Sequence, residues 1–329
     1  MIKKIRPKWI LMLVLFGVLL YAPQNLNKYS VGVLNVGLIF GIAAWSISVM
    51  LGMGGQLVFS TISFMGIGAY VVANLCTGRL GIKLPTWTML FLAPLTAGFI
   101  AFLLALILVK MRGTYLTFAT IAVVQVAFTF YNNYKSLFGG PDGISGIPSL
   151  TLFGHKLANY YEWFYFLIAL VILVGLIIER IRRTQLGRSL AAIRDNEIAA
   201  RTLGVNVYMT KVIGYTITGI LGGLAGALYS MHVRYISADM FNYGNASQII
   251  IMTMLGGVSS TFGTIIGALL VNILPEVFRS LQKYMQFIWG LSVILLMVFM
   301  PSGLGGLATM IDARIMAKRS HKANGGEPQ

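Results

Sequence analysis

The chain has 329 residues, of which 57% are hydrophobic and only 10% charged, with a mean hydropathy of +0.81. Soluble domains carry about a quarter charged residues, and a core of this size could not hide so much apolar surface from water, so lipid is the expected solvent. The net charge of +16 comes without any aromatic-basic recognition motif, which sets nucleic-acid binding aside and favours a positive-inside bias of loops.

In chain order, apolar runs predict spans at 9–23, 32–51, 57–77, 86–109, 114–131, 162–178, 212–231, 247–257, 262–277 and 286–306. A span needs about 20 apolar residues, fewer where it is broken and buried in protein. The eighth and ninth runs are short and joined by Gly256-Gly257-Val258-Ser259-Ser260, so they fit either a re-entrant hairpin or two crossings. The expected fold is an all-α, polytopic transmembrane helical bundle of eight to ten membrane helices, forming one domain over 1–329. The basic start Lys3-Lys4-Ile5-Arg6 before the first run lacks a small-x-small cleavage site, and reads as an uncleaved first helix with a cytoplasmic N-terminus.

Ten crossings from that start place 17 Lys and Arg residues inside and 8 outside, which supports cytoplasmic N- and C-termini. The inside loop 180–211 holds 9 of the 34 charged residues. The outside loop 132–161 is centred on Gly139-Gly140-Pro141-Asp142-Gly143, punctuation that predicts a tight, rigid turn. The tail after Asp312 is polar.

Chemistry is sparse. His155, His232 and His321 fall in three different segments, Cys76 is the only cysteine, and no metal-ligand, triad or paired-acid spacing occurs. An enzyme is therefore not expected, and neither is a cofactor or metal. The spans carry almost no ionisable residue, which argues against a proton relay but not against sodium coupling through backbone carbonyls. No phosphate-cradling GxxxxGK[ST] is present, so any ATP-driven step needs a motor on another polypeptide.

That requirement directs attention to LGRSLAAIRDNEIAARTLGVN, residues 186–206. Ser189 fits the cap of a short helix ending near Asp195, and Asn196 the cap of a second over 197–203. Glu197 suits that helix's N-terminus, and Gly204 the position just past its end. Ile193, Ile198 and Leu203, rimmed by Arg194, Glu197 and Arg201, then make a shallow docking knob; a solvated loop held by local Arg–Glu pairs fits the same residues.

The stretch resembles the cytoplasmic loop of the LivM-type permeases, membrane subunits of branched-chain amino-acid ABC importers. Four more segments resemble that family in the same order: LGMGGQLVFSTISFMGIGAY (51–70), MRGTYLTFATIAVVQV (111–126), FGGPDGISGIP (138–148) and LGGVSSTFGTIIGALL (255–270). The likeness covers about residues 30 to 306, with Thr61 standing where a Leu-Gly pair after the serine is more usual. It implies an ABC importer permease fold in the bacterial inner membrane, and an ATPase-coupling segment comprising Arg194, Asp195, Asn196, Glu197, Ala199, Ala200 and Gly204. It also implies a second, homologous permease subunit, two ATP-binding subunits and an extracytoplasmic solute-binding protein as partners. The implied solutes are leucine, isoleucine and valine, with urea or a short amide as the alternative within the family. A stand-alone sodium-coupled carrier is the alternative outside it. On the coupling reading, Glu197→Lys is expected to uncouple uptake from ATP hydrolysis without unfolding the protein.

Gly52, Gly54, Gly55, Gly66 and Gly68 bracket Gln56, Ser60, Thr61 and Ser63. This pattern fits close helix packing. It also fits a helix break in which Gly54, Gly55, Gln56, Ser60 and Ser63 line a substrate path. The outside turn, with Gly139, Gly140, Pro141 and Gly143, fits a binding-protein docking surface as well as a rigid connection.

Overall fold

The computed structural model describes residues 26–277 except 112 and 153, together with 283, 284, 287, 290 and 291. The expected span 9–23, both termini, the tail after Asp312 and nearly all of 286–306 lie outside these residues.

The described chain is helical, as its uniformly apolar runs require, because a backbone in lipid must satisfy its own polar groups. The long helices are α1 (Lys28–Ile47), α2 (Thr61–Thr77), α3 (Met89–Leu108), α4 (Thr114–Asn133), α6 (Tyr160–Arg183), α9 (Val207–Val233), α10 (Tyr243–Gly256) and α11 (Thr261–Val277). Shorter pieces are α5 (Lys135–Phe138), α7 (Gln185–Asp195) and α8 (Glu197–Thr202). Four two-residue strands, β1 (Ile144–Ser145), β2 (Thr151–Leu152), β3 (His155–Lys156) and β4 (Tyr235–Ile236), pair antiparallel as β1–β4 and β2–β3.

α1 and α9 form the centre. α9 packs its glycine-rich surface against α2 and α3, and α1 lies against α9, α6, α10 and α11. A Cβ on Gly226 would strike the Met65 carbonyl, so only glycine permits the α9–α2 approach. Hydroxyls then bond across these dry contacts: Thr218 donates to the Ser46 carbonyl at 3.0 Å and Thr253 to the Ala44 carbonyl at 3.2 Å. α3, α4 and α6 stand outside, each leaving one face open.

Two expectations are refined. The run 57–77 is not helical throughout. α1 continues into a π-helical turn, Ser48–Met53, and ends at Gly55 with φ +66°. The chain then runs without regular secondary structure to Phe59 before α2 begins. Such irregular backbone survives because neighbours satisfy it: Thr117 donates to the Leu57 carbonyl at 3.1 Å, and Phe59 N–H donates to Thr120 Oγ1 at 3.2 Å. The second refinement concerns 247–277. α10 runs toward the end where α7 and α8 lie, Gly257 reverses the chain, and α11 retraces the whole of α1. Trp45 Nε1 donates to the Thr261 carbonyl at one end, and Tyr29 Oη to Glu276 Oε2 at the other. The segment is an antiparallel helix pair, and among the described residues five helices are long and apolar enough to cross a membrane, with Thr61–Thr77 and Thr261–Glu276 as shorter apolar helices.

The loop 132–161 contains the tight turn expected. Gly139, Gly140 and Gly143 all take positive φ, and β1 pins the turn to β4. Its glycines are half-buried or buried, so Pro141 and Asp142 are what it presents to solvent.

Candidate coupling site

At one end of the bundle the chain between α6 and α9 folds into a compact elbow of α7 and α8. α6 ends with Arg180, Arg182 and Arg183, cations suited to a helix C-terminus. Thr184 is extended and α7 starts at once, so the helix begins earlier than the sequence suggests. Ser189 lies inside it, and Thr184 takes the N-cap position without a capping side-chain bond. The chain has no slack here, because Thr184 N–H and Oγ1 both donate to the Ile181 carbonyl, at 3.0 and 2.6 Å.

Asn196 is the cap predicted for α8. Its backbone is extended, and Oδ1 accepts from Ile198 N–H and Ala199 N–H, both at 3.0 Å. The far end closes as a Schellman motif: Val205 N–H donates to the Ala200 carbonyl at 3.0 Å and Gly204 N–H to the Arg201 carbonyl at 3.1 Å. Gly204, at φ +82°, supplies the left-handed residue this motif needs. Asn206 then caps α9 by accepting from Met209 N–H at 3.1 Å. Three closely spaced terminations hold the elbow without a large core.

The elbow is fixed to the bundle at three points. Leu190, fully buried, wedges between Gly54 and Gly214, touching α1's last turn and α9 together. The Arg194 guanidinium donates to the Gly52 carbonyl at 2.8 Å, and its aliphatic stem lies over Gly55, where a Cβ would collide with it. Glu197 pairs with Lys211 on α9 at 2.7 Å and with Arg201 at 3.6 Å. Lys211 is only 2% exposed, and that carboxylate is the partner that offsets burying its ammonium group.

The coupling residues named from the sequence thus meet in one small structure but do different things. Asp195 and Ala199 face outward; Ala200 is buried with Ile193 and Val207; Asn196 and Gly204 shape the backbone; Arg194 and Glu197 reach inward. Ile193 therefore does not belong to the outer face. That face is Ile198 and Leu203, 73% and 83% exposed, with Arg201 and Asp195 at the rim. A shallow depression of about 350 Å³ between Asn196, Glu197, Ile198 and Arg201 adjoins them. The pairing with Lys211 also corrects the expectation for Glu197→Lys. That change would set two ammonium groups together at a buried site and disturb the elbow itself.

The substrate-path candidates divide in the same way. Gly54 and Gly55 belong to the elbow contact. Ser60 is buried and shares a 2.6 Å hydrogen bond with the Tyr215 hydroxyl, while Ser63 is buried with its Oγ unpaired among the described residues. Gln56 Oε1 is likewise buried and unpaired among them. Gly66 and Gly68 admit Tyr131 and the Gly223 backbone, which is packing. Lys211 and the Gly52 carbonyl were missed by sequence reasoning. Lys211 looked like one more loop cation, and nothing local marks a carbonyl 142 residues away from Arg194.

A bundle of apolar crossings with one polar elbow is a multi-pass helical membrane protein of the ABC-permease class. The chain belongs to the family described as "Branched-chain amino acid transport system / permease component", which matches residues 29–301. It is 31% identical to the high-affinity branched-chain amino acid transport system permease protein LivM of Escherichia coli K12, over 86% of this chain and 71% of that one. It is 27% identical to the probable LivM permease of Methanocaldococcus jannaschii, over 83% and 82%. The autoinducer 2 import system permease protein LsrC of Enterobacter sp. 638 is also 27% identical, over 86% and 82%, so the family includes permeases named for other solutes. These relatives are transport components, and this chain is a transport subunit and not an enzyme. No solved structure matches it.

Proposed function

We propose that this chain is the membrane-spanning permease of an ATP-driven importer in the bacterial inner membrane, carrying leucine, isoleucine and valine delivered by an extracytoplasmic binding protein. Two separate ATP-binding subunits supply the energy, and a second, homologous permease completes the membrane unit. The observation that carries the reading is the elbow. It offers Ile198, Ala199 and Leu203 outward, and inward it grips α1 and α9, the two central helices. Force applied to α8 would reach α9 through Glu197–Lys211 and the end of α1 through Arg194 and Leu190. The π-helical turn at Ser48–Met53 is the segment best suited to yield, because its hydrogen bonding departs from the α-helical ladder.

Orientation follows the basic residues. The elbow end carries Lys110, Arg180, Arg182, Arg183, Arg188, Arg194, Arg201 and Lys211, which supports a cytoplasmic elbow. Pro141 and Asp142, held rigidly by Gly139, Gly140 and Gly143, then face the side from which a binding protein approaches. Of the path candidates, Gly54, Gly55 and Ser60 are taken up by packing, and Gln56 and Ser63, with buried polar atoms unpaired among the described residues, are the two left able to serve a polar path. The LsrC likeness makes the solute the finer question, and competition of labelled leucine by isoleucine, valine and urea answers it.

The deciding experiment is reconstitution. Liposomes holding this chain with its permease partner, ATPase subunits and binding protein are expected to accumulate leucine only with ATP. Liposomes with this chain alone are expected to accumulate none under a sodium gradient. Uptake by the chain alone would overturn the reading.

A further inference from the structure

The outer helices do not all show the same face. On α3 the exposed side chains within the helix are Phe91, Leu95, Phe99, Ile100, Phe102, Leu103 and Ile107, and on α6 the mid-helix face is Ile172, Leu173, Leu176 and Ile177. Both are what hydrocarbon requires. On α4 the exposed positions are Thr114, Tyr115, Phe118, Ala122, Gln125, Val126, Thr129, Phe130 and Asn133; Tyr115, Phe118, Val126 and Phe130 suit hydrocarbon, and beside them Ala122, Gln125, Thr129 and Asn133 form a more polar stripe at helical spacing.

Gln125 decides what this stripe faces. It is the twelfth of the twenty residues of α4, about 17 Å from the helix start at 1.5 Å per residue, and so near the middle of the crossing. Its side-chain amide is exposed and makes no hydrogen bond among the described residues. An amide held in hydrocarbon without a partner costs several kcal/mol, about 4–8 on a water-to-cyclohexane scale. Thr129 by itself would be tolerable, because its hydroxyl donates to the Gln125 carbonyl at 2.8 Å, but Gln125 has no such relief. Another side of the same helix holds the irregular segment Leu57–Phe59 through Thr117 and Thr120. α4 therefore stands between the irregular backbone and whatever lies outside it.

We infer that the α4 stripe Ala122, Gln125, Thr129 is a wall of the water-filled solute path. An uncharged amide and a hydroxyl suit a small zwitterionic solute, because they hydrogen-bond both its ammonium and its carboxylate while trapping neither. The inference rests on the permease reading, but it concerns which surface is wet.

The test uses the assembled transporter in membrane vesicles, with Cys76, the only cysteine, replaced by alanine. Single cysteines at 122, 125 and 129 are compared with cysteines at 95, 99 and 103 of α3, using a membrane-impermeant, positively charged methanethiosulfonate. The thiolate is the reacting species and needs water, so the α4 positions are expected to label at least roughly tenfold faster in one nucleotide state. Leucine and binding protein should slow that labelling. Gln125→Leu is expected to lower uptake severalfold while ATP hydrolysis persists, and Gln125→Asn to retain most of it. Labelling at 125 as slow as at 99 in every nucleotide state, with Gln125→Leu transporting normally, would overturn the inference by placing the stripe against lipid or a dry helix interface. Labelling that is fast but indifferent to ATP would uphold the wet wall and count instead against ATP-driven gating.

Discussion

Lys211 and Glu197 set the energetics of the elbow. A lysine 2% exposed is costly to keep charged unless a carboxylate stays with it. Removing one member strands the other, at about 3–5 kcal/mol for a buried pair. Glu197→Gln or Lys211→Met is therefore expected to lower the thermal midpoint of the purified complex markedly. The double change Glu197→Leu with Lys211→Met should recover most of that loss, as apolar replacements of buried pairs often do. If the singles and the double melt alike, the pair contributes no net stability. Gly55 is the other sensitive residue. Its φ of +66° disfavours any side chain by about 1–2 kcal/mol, and its missing Cβ leaves room for Arg194. Gly55→Ala should reduce both thermal stability and uptake, read by melting and by transport in vesicles.

At the scale of the element, α8 is six residues long and could not persist alone in water. Asn196, the Schellman closure and the ion pair with α9 hold it, so its exposed side chains are free of structural duty. Ile198 and Leu203 are large apolar groups at a surface that is not a lipid-facing crossing, the kind of residue that marks a partner contact. Changing both to Asp should leave the melting temperature of this chain within a degree or two, since neither is packed, yet weaken co-purification of the ATP-binding subunits severely. Unchanged co-purification would remove α8 from that contact. The π-helical turn belongs to this scale too. It sits where α1 stops, under Arg194, and links the elbow to the break before α2.

For the whole molecule, the arrangement is polar at two ends and apolar between. One end gathers α7, α8 and the loops after α3 and α10; the other gathers the glycine turn, the β pairs and the start of α11's partner α1. The cation bias predicts which end is cytoplasmic. A cysteine at Leu203 should label only in inverted vesicles and one at Asp142 only in right-side-out vesicles; the reverse pattern would invert the proposed topology. Under the proposed function, force entering at the elbow would need no long-range wire, because both α1 and α9 begin or end near the elbow and run along the bundle.

The sequence by itself determined the solvent, the class, the long apolar helices and the position of the elbow. These follow from local composition and spacing, since apolar runs, caps and left-handed glycines act within a few residues. Only the tertiary structure decided that Arg194 reaches the Gly52 carbonyl, that Lys211 is buried against Glu197, that Ile193 packs inward, and that 247–277 folds as an antiparallel helix pair along α1. It also decided that Gln125 looks outward while Thr117 and Thr120 look in. Those outcomes depend on which helix lies beside which, and burial and pairing between residues far apart in the chain leave no mark on either segment alone.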